Sequence, residues 1–461
     1  MEKKERVFKA QSKQVTLDRE NRQKLDYNIG RYDQAVERGV HFFSDLDNAR
    51  SQASNIKDFA VDDLENLLVG FEKRALENGS EVFWACDKRE ALAILKDIVL
   101  KEKVELAVKM KSMISEELEI NKLLQELQVE TWETDLGEFI VQLAGEKPYH
   151  ILTPAMHKSR GDIATLFHQK FGLDPESTPE QITLFVRDYL REKFTRADLG
   201  ITGANFLIAD TGSIALTENE GNGMMTFSWP KTLVVIAGIE KIIPKLTDLG
   251  LFWPLVAVHG TGQHVTAYNS LLSGPKQMDE LDGPKRMVII LLDGGRSRMF
   301  GDPEMRKALT CIRCGACLNA CPIYRNVGGY TYQTTYTGPI GSVISMYLDD
   351  SRDTGFLNFA CSLCGRCSEV CPVKIPIHRL LLLNRSRINE NSDKGATEKL
   401  VYRTAGEILM RRRSLDRIPA KWKNLAMKKI GQKHWGPNRK PLNFAPESFS
   451  RMWRRRKHNQ S

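Results

Sequence analysis

The first 65 residues are rich in charge and poor in Gly and Pro. Their scattered apolar positions predict amphipathic helices that pack as an arm. The last helix runs past the arm, over residues 62–78, with Leu64, Leu67, Leu68 and Phe71 on one side. From Ser80 the pattern turns to alternating blocks. Residues 81–86 read as a strand and residues 88–101 as a helix, with Ala91, Leu92, Ile94, Leu95 and Ile98 apolar. Residues 104–110 read as a strand, 115–127 as a helix and 129–134 as a strand. Repeated β-α-β units of this length imply a parallel sheet with helices on its faces. Residues 206–216, 232–239 and 287–292 add β-rich segments. Cys86 ends the first strand and reads as a small buried hydrophobe. The organisation expected is a helical arm (1–65), an α/β domain (66–300), a cysteine-rich segment (301–390) and a tail (391–461).

Charge sharpens that division. The chain of 461 residues carries a formal net charge of +9. Between Asn391 and Ser461 there are 19 Lys and Arg against 5 Asp and Glu, so the tail holds +14 and the rest −5. Arg411, Arg412 and Arg413, and then Arg454, Arg455, Arg456 and Lys457, are interleaved with Trp422, Trp435 and Trp453. Such a pattern fits either a partner-docking tail or a nucleic-acid surface. Docking is favoured and nucleic acid is not expected. The charged N-terminus is followed by no apolar run of signal-peptide type. The longest apolar stretches are too short to span a bilayer. The expected location is cytoplasmic, with peripheral docking to a membrane complex left open.

Eight of the nine cysteines fall between Cys311 and Cys371. Cys311, Cys314, Cys317 and Cys321, followed by Pro322, are spaced C-x2-C-x2-C-x3-C-P. Cys361, Cys364, Cys367 and Cys371, followed by Pro372, repeat it. This spacing lets one short loop hold three corners of a [4Fe-4S] cube, and the fourth cysteine usually ligates the other cluster. One cluster is therefore expected on Cys311, Cys314, Cys317 and Cys371. A second is expected on Cys361, Cys364, Cys367 and Cys321. Zinc would ask for paired C-x2-C units with a longer spacer, which neither run has. Gly315 and Gly365 sit at matching places, where the absence of a side chain lets amides approach sulfur. After the second run, residues 375–383 read as a packing helix entered through Pro376. The cysteine unit resembles the α-helical ferredoxin of succinate dehydrogenase, heterodisulfide reductase and glycolate oxidase iron–sulfur subunits, which implies a mostly helical fold.

Polar clusters fall where strands would end. Lys109, Lys111 and Arg160 could line an anion or substrate pocket, since ligands collect at the carboxyl ends of strands in open α/β sheets. The same residues could equally be turns and solvated loops. No G-x-G-x-x-G or G-x-x-x-x-G-K-[ST] run is present, so nicotinamide, flavin and P-loop sites are not supported.

Residues 109–113, 133–138, 142–148, 197–205 and 209–213 resemble the lactate-utilisation (LUD) domain. With the paired cysteine runs and the basic tail, the chain from about residue 80 onward resembles the iron–sulfur branch of that family. The resemblance implies a Rossmann-like α/β domain of the sugar-isomerase and CoA-transferase type. It implies a non-catalytic electron-transfer subunit in the oxidation of L-lactate to pyruvate. It also implies two sister proteins, one with CCG domains and iron–sulfur centres, the other a LUD protein without cluster motifs. Two other functions stay open: a LUD domain that itself binds or converts the 2-hydroxy acid or an acyl intermediate, and a redox-sensing regulator. The segment 259–263 falls at a small polar turn of the family, with no role assigned.

Overall fold

The structure is a computed structural model that describes residues 2–348 and 351–390, and in the tail 400, 403–404, 406–407, 410, 418–431, 440 and 443–458. It divides into two compact units, Met1–Arg387 and Ile388–Ser461. In the second, the helix Phe449–His458 carries Arg454, Arg455, Arg456 and Lys457 on an exposed face, with Phe449 and Trp453 stacked at 5.9 Å. The Arg411–Arg413 run and Trp435 lie outside the described residues.

Two sheets organise the first unit. Strands β1 (Glu81–Ala85), β2 (Leu106–Lys109), β3 (Glu130–Glu133), β4 (Leu199–Thr202), β7 (Thr232–Gly238) and β10 (Arg286–Leu292) form a parallel six-stranded sheet of order β1-β10-β7-β4-β2-β3. Strands β5 (Phe206–Ile208), β6 (Ser213–Glu218), β8 (Ile242–Ile243) and β9 (Tyr268–Leu272) form a mixed sheet of order β8-β5-β6-β9.

The period of two along each strand sets the layers. Val234, Ile236, Val288, Ile290 and Leu292 pack on the helix Lys88–Lys101 through Ala91, Leu95, Ile98 and Val99. The alternate residues Leu233, Val235, Met287, Ile289 and Leu291 pack on Leu207, Ile214 and Leu216 of the second sheet. That sheet's other face, Phe206, Ile208, Ala215 and Ile243, packs into the cysteine region. The four-stranded sheet is thus the layer between the parallel sheet and the cysteines. From Arg296 to Glu390 the described residues form only helices and turns.

Several boundaries differ from the sequence pattern. The helix expected over 115–127 is two, Met113–Leu118 and Ile120–Glu126, because Glu119 adopts a left-handed backbone with φ 55°. The helix expected over 62–78 is Leu64–Glu77, parted from Leu46–Asp62 at Asp63. Cys86 is exposed rather than buried. Its thiol is pushed up by the neighbouring Glu90 carboxylate. The 206–216 segment is a hairpin of the second sheet, which the sequence pattern did not separate from the first.

Candidate functional site

The two cysteine loops share one backbone. Arg313 and Leu363 hold positive φ, 58° and 56°, and donate their amides to the sulfurs of Cys311 and Cys361 at 3.4 and 3.3 Å. Gly315 and Gly365 follow at φ 77° and 82°, each just before a single helical turn, Ala316–Asn319 and Arg366–Glu369. Left-handed φ is open to glycine without cost and strained for other residues. These positions therefore need glycine for the turn itself, which adds a reason to the open approach to sulfur. Pro322 then opens the helix Pro322–Val327.

In space the last cysteine of each run changes sides. Cys311, Cys314, Cys317 and Cys371 line one enclosed pocket, walled by Ile312, Leu318, Ile340, Val373 and Ile375. Cys321 stands with Cys361, Cys364 and Cys367, whose charges bear on one another. Burial pushes the Cys371 thiol up to about 11 and the Cys367 thiol up to about 12. Burial pushes Cys314 and Cys317 up as well. Thiols so placed become thiolates only against a strong cationic partner, as iron provides. Four sulfurs per group, apolar walls and amides aimed at sulfur suit a cubane iron–sulfur cluster. The Ile375 amide adds another such bond, 3.4 Å from the Cys371 sulfur.

The first group has a charged cradle that cysteine spacing does not reveal. Arg313 donates to Glu240 at 3.2 Å and lies over the Tyr336 ring, 4.5 Å from its centre. Arg296 donates to Glu240 at 2.6 Å and to Glu117 at 2.9 and 3.1 Å, and Tyr336 donates to Glu117 at 2.7 Å. Burial pushes the Glu240 carboxyl up, but Arg296 and Arg313 more than offset it and hold it near about 2. Lys57 and Lys241 stand in the same surroundings, and burial lowers them to about 7 and about 8. Arg296 and Arg313 balance Glu240 and Glu117, and Lys241 with a part-protonated Lys57 adds an excess of positive charge, which suits a cluster whose four thiolates make it anionic.

The N-terminal helices hold this region in place. Arg50 donates to the Cys371 carbonyl at 2.9 and 3.1 Å. Tyr32 donates to the carbonyl of His259 at 2.7 Å. His259 and Gly260 end the helix Leu249–Thr261 and are buried, so the 259–263 segment is a helix terminus capped by Gly262. The second group is more open: Cys364 is exposed and Cys361 half-buried.

The lysines of the suggested anion pocket are already paired. Lys109 is buried and donates to Ser115 at 2.9 Å, to Glu133 at 2.9 Å and to Glu116 at 3.2 Å. Lys111 pairs with Asp135 at 3.0 Å. Arg160 sits exposed at the start of the helix Arg160–Phe171 and does not join them. Glu116 and Glu133, the partners of Lys109, instead line a cleft of about 1460 Å³, together with Asn121 and Glu138 and with Lys88 and Lys147 among its other residues. Met113, Ile151 and Thr337 line both this cleft and the first cysteine pocket.

Residues 68–292 match the LUD domain and residues 307–375 the 4Fe-4S dicluster domain. No helix among the described residues is long and apolar enough to cross a membrane. A DUF162 family protein from Deinococcus radiodurans covers 50% of this chain and 98% of its own, at 14% identity and a TM-score of 0.27. The uncharacterized electron transport protein YkgF of Escherichia coli is 40% identical over 354 residues, 77% of this chain and 74% of that protein. Lactate utilization protein B of Bacillus velezensis is 40% identical over 380 residues, 82% of this chain and 79% of that protein. On that extent of identity the chain belongs to the lactate utilization protein B family.

Proposed function

We propose that the chain is the electron-transfer subunit of a cytoplasmic system that oxidises L-lactate to pyruvate, and that it holds two [4Fe-4S] clusters. Cys311, Cys314, Cys317 and Cys371 hold one; Cys361, Cys364, Cys367 and Cys321 hold the other. The observation that carries this reading is the exchange of the fourth cysteines, Cys321 and Cys371, between two loops of the same cysteine spacing. When bound, the clusters supply one-electron redox chemistry.

The chain's own residues do the rest. Ile312, Ile340 and Ile375 keep water from the first group, while Arg313, Arg296, Lys57 and Lys241 offset its negative charge. Exposed Cys364 makes the second group the side that a protein partner can reach. The helical segment after Arg296 agrees with an α-helical ferredoxin, and the parallel sheet with a Rossmann-like LUD domain of the sugar-isomerase type. The partners are the two sister subunits, the CCG-domain iron–sulfur protein and the LUD-only protein. Lactate as the source of electrons rests on the names of the relatives.

The test is anaerobic. The chain is mixed with both sister subunits, and visible absorption is followed as L-lactate is added. Bleaching that requires the sister subunits is the expected result. Bleaching by lactate without them would move the oxidation site into this chain. At the same time, C311S and C371S should lose one cluster signal, and C321S and C361S the other. Loss of the same signal in C361S and C371S would sink the exchange.

A further inference from the structure

The inner wall of the cleft gathers more negative charge than its protein partners answer. Glu133 is 2% exposed and Glu138 3% exposed. With half-buried Glu116 they bring carboxylate oxygens within 4.8 Å of one another. One ammonium, that of Lys109, is hydrogen-bonded to two of them; Lys111, which also feels Glu138, is paired with Asp135. The three donors of Lys109 are spent on Ser115, Glu133 Oε1 and Glu116 Oε1. Asn121 turns its amide nitrogen to the same Glu133 Oε1 at 2.7 Å.

What remains is a set of oxygens with no donor. Glu133 Oε2 and the Asn121 side-chain oxygen are buried without a partner. Among the described residues, none donates a hydrogen bond to the Glu138 carboxylate. A buried acceptor without a donor is costly, and a buried carboxylate more so. Burial pushes the Glu133 and Glu138 carboxyls up, and for Glu138 the neighbouring Glu133 adds to it. With all three carboxylates ionised, their charge less that of the Lys109 ammonium leaves two negative charges, which a divalent cation would neutralise. Carboxylate and amide oxygens are hard donors, the kind that Mg²⁺ and Mn²⁺ take.

We propose that Glu116, Glu133 and Glu138, with the Asn121 side-chain oxygen, hold a hard divalent cation of the Mg²⁺ or Mn²⁺ class at the inner wall of the cleft. Lys109 is then a positioning residue: it fixes the inner oxygens of Glu116 and Glu133 and leaves their outer oxygens for the ion. The remaining coordination positions face the cleft, open to water or to a small oxygen-bearing ligand. The cleft shares Met113, Ile151 and Thr337 with the first cysteine pocket, so the ion would lie a short wall away from that group. The site is independent of the cluster assignment.

The test uses the full chain, purified anaerobically and oxidised, with its iron content measured separately so that cluster loss is not mistaken for loss of this site. Mn²⁺ is titrated in, and the free ion is read by its EPR signal. The expected result is one saturable Mn²⁺ per chain, displaced by Mg²⁺. E138Q should weaken binding at least tenfold. This variant loses no hydrogen bond and removes a buried carboxylate beside Glu133, so it should fold; E133Q, which weakens a partner of Lys109, is the harsher companion. E119Q, in the same cleft but outside the cluster, should bind as the unaltered chain does. No saturable binding at millimolar Mn²⁺, unchanged binding in E138Q, or an equal loss in E119Q would each overturn the proposal.

Discussion

Arg313 and Leu363 occupy the same place in the two cysteine loops, with φ of 58° and 56° and an amide on the preceding cysteine's sulfur. Only Arg313 is charged, and its guanidinium is tied to Glu240 at 3.2 Å. This one backbone bond is therefore the same in the two loops, while the side chain that follows it differs. Positive charge near a cluster favours its more negative, reduced form. Replacing Arg313 with Leu should lower the potential of one cluster by on the order of tens of millivolts and leave the other in place. An EPR-monitored redox titration reads both. Equal shifts in both clusters, or none in either, would refute a local role for Arg313.

The two loop glycines should differ in tolerance. At Gly365 an added Cβ meets nothing within 4 Å, so only its φ of 82° opposes alanine. Left-handed backbone costs an L-residue about 1–2 kcal/mol. At Gly315 the same strain is joined by a Cβ 3.0 Å from the Leu152 side chain. G315A should therefore lower the unfolding midpoint more than G365A, and both should fall below the unaltered chain. Thermal unfolding of the three proteins side by side checks the order; G365A matching the unaltered chain would mean the loop relaxes its φ.

These contrasts also mark what the sequence makes legible. The cysteine spacing and the β-α-β alternation are local patterns. The helix Lys88–Lys101 accordingly falls where the apolar period puts it. Glu119 breaks a helix that its neighbours' periodicity would continue, because nothing in a glutamate marks a left-handed turn. The second sheet escapes notice for another reason. Its strands β5 and β8 and most of β6 are as apolar as those of the parallel sheet, being buried on both faces, and pairing is not written in hydrophobicity. Strand β9, half exposed, shows no apolar run at all. The cradle around Cys311 draws on Lys57, Glu240, Arg296 and Arg313, which only the fold brings together. Lys109 and Lys111 show the converse error: cations read as free for a ligand are paired with carboxylates from neighbouring segments.

Lys57 anchors the N-terminal helices to the strand layer. It is 1% exposed, and its ammonium donates to the carbonyls of Glu240 and Ile242 at 2.7 and 2.9 Å. Methionine fills similar space but abandons both carbonyls, each worth about 1–3 kcal/mol when left buried without a donor. Against that, burial already lowers the Lys57 ammonium to about 7, so removing it also relieves a desolvation cost. The lost hydrogen bonds should win, and K57M should unfold at lower urea than the unaltered chain. A higher midpoint would mean that the buried charge costs more than its two bonds return.

Acid should weaken the fold through its buried histidines. His150 is 3% exposed, and its Nδ1 accepts from the amides of Leu152 and Thr153 at 3.1 and 3.3 Å. Burial, then the nearby Lys111 charge, lowers it to about 4. His259 is lowered to about 4 by burial as well. In the unfolded chain both titrate near about 6.5. A base whose folded value is depressed binds its proton less readily in the native state, so stability is full above about pH 6.5 and falls between there and about pH 4. Each histidine contributes up to about 1.4 kcal/mol per pH unit across that window. Urea midpoints, which the depressed Lys57 and Lys241 already make fall from pH 8 to 7, should go on declining from pH 6.5 to 5 as the histidines take over. H150Q, whose side-chain oxygen can still accept from Leu152 and Thr153, should decline less steeply. An H150Q slope as steep as that of the unaltered chain would mean His150 is already protonated in the native fold, against its place between two donating amides.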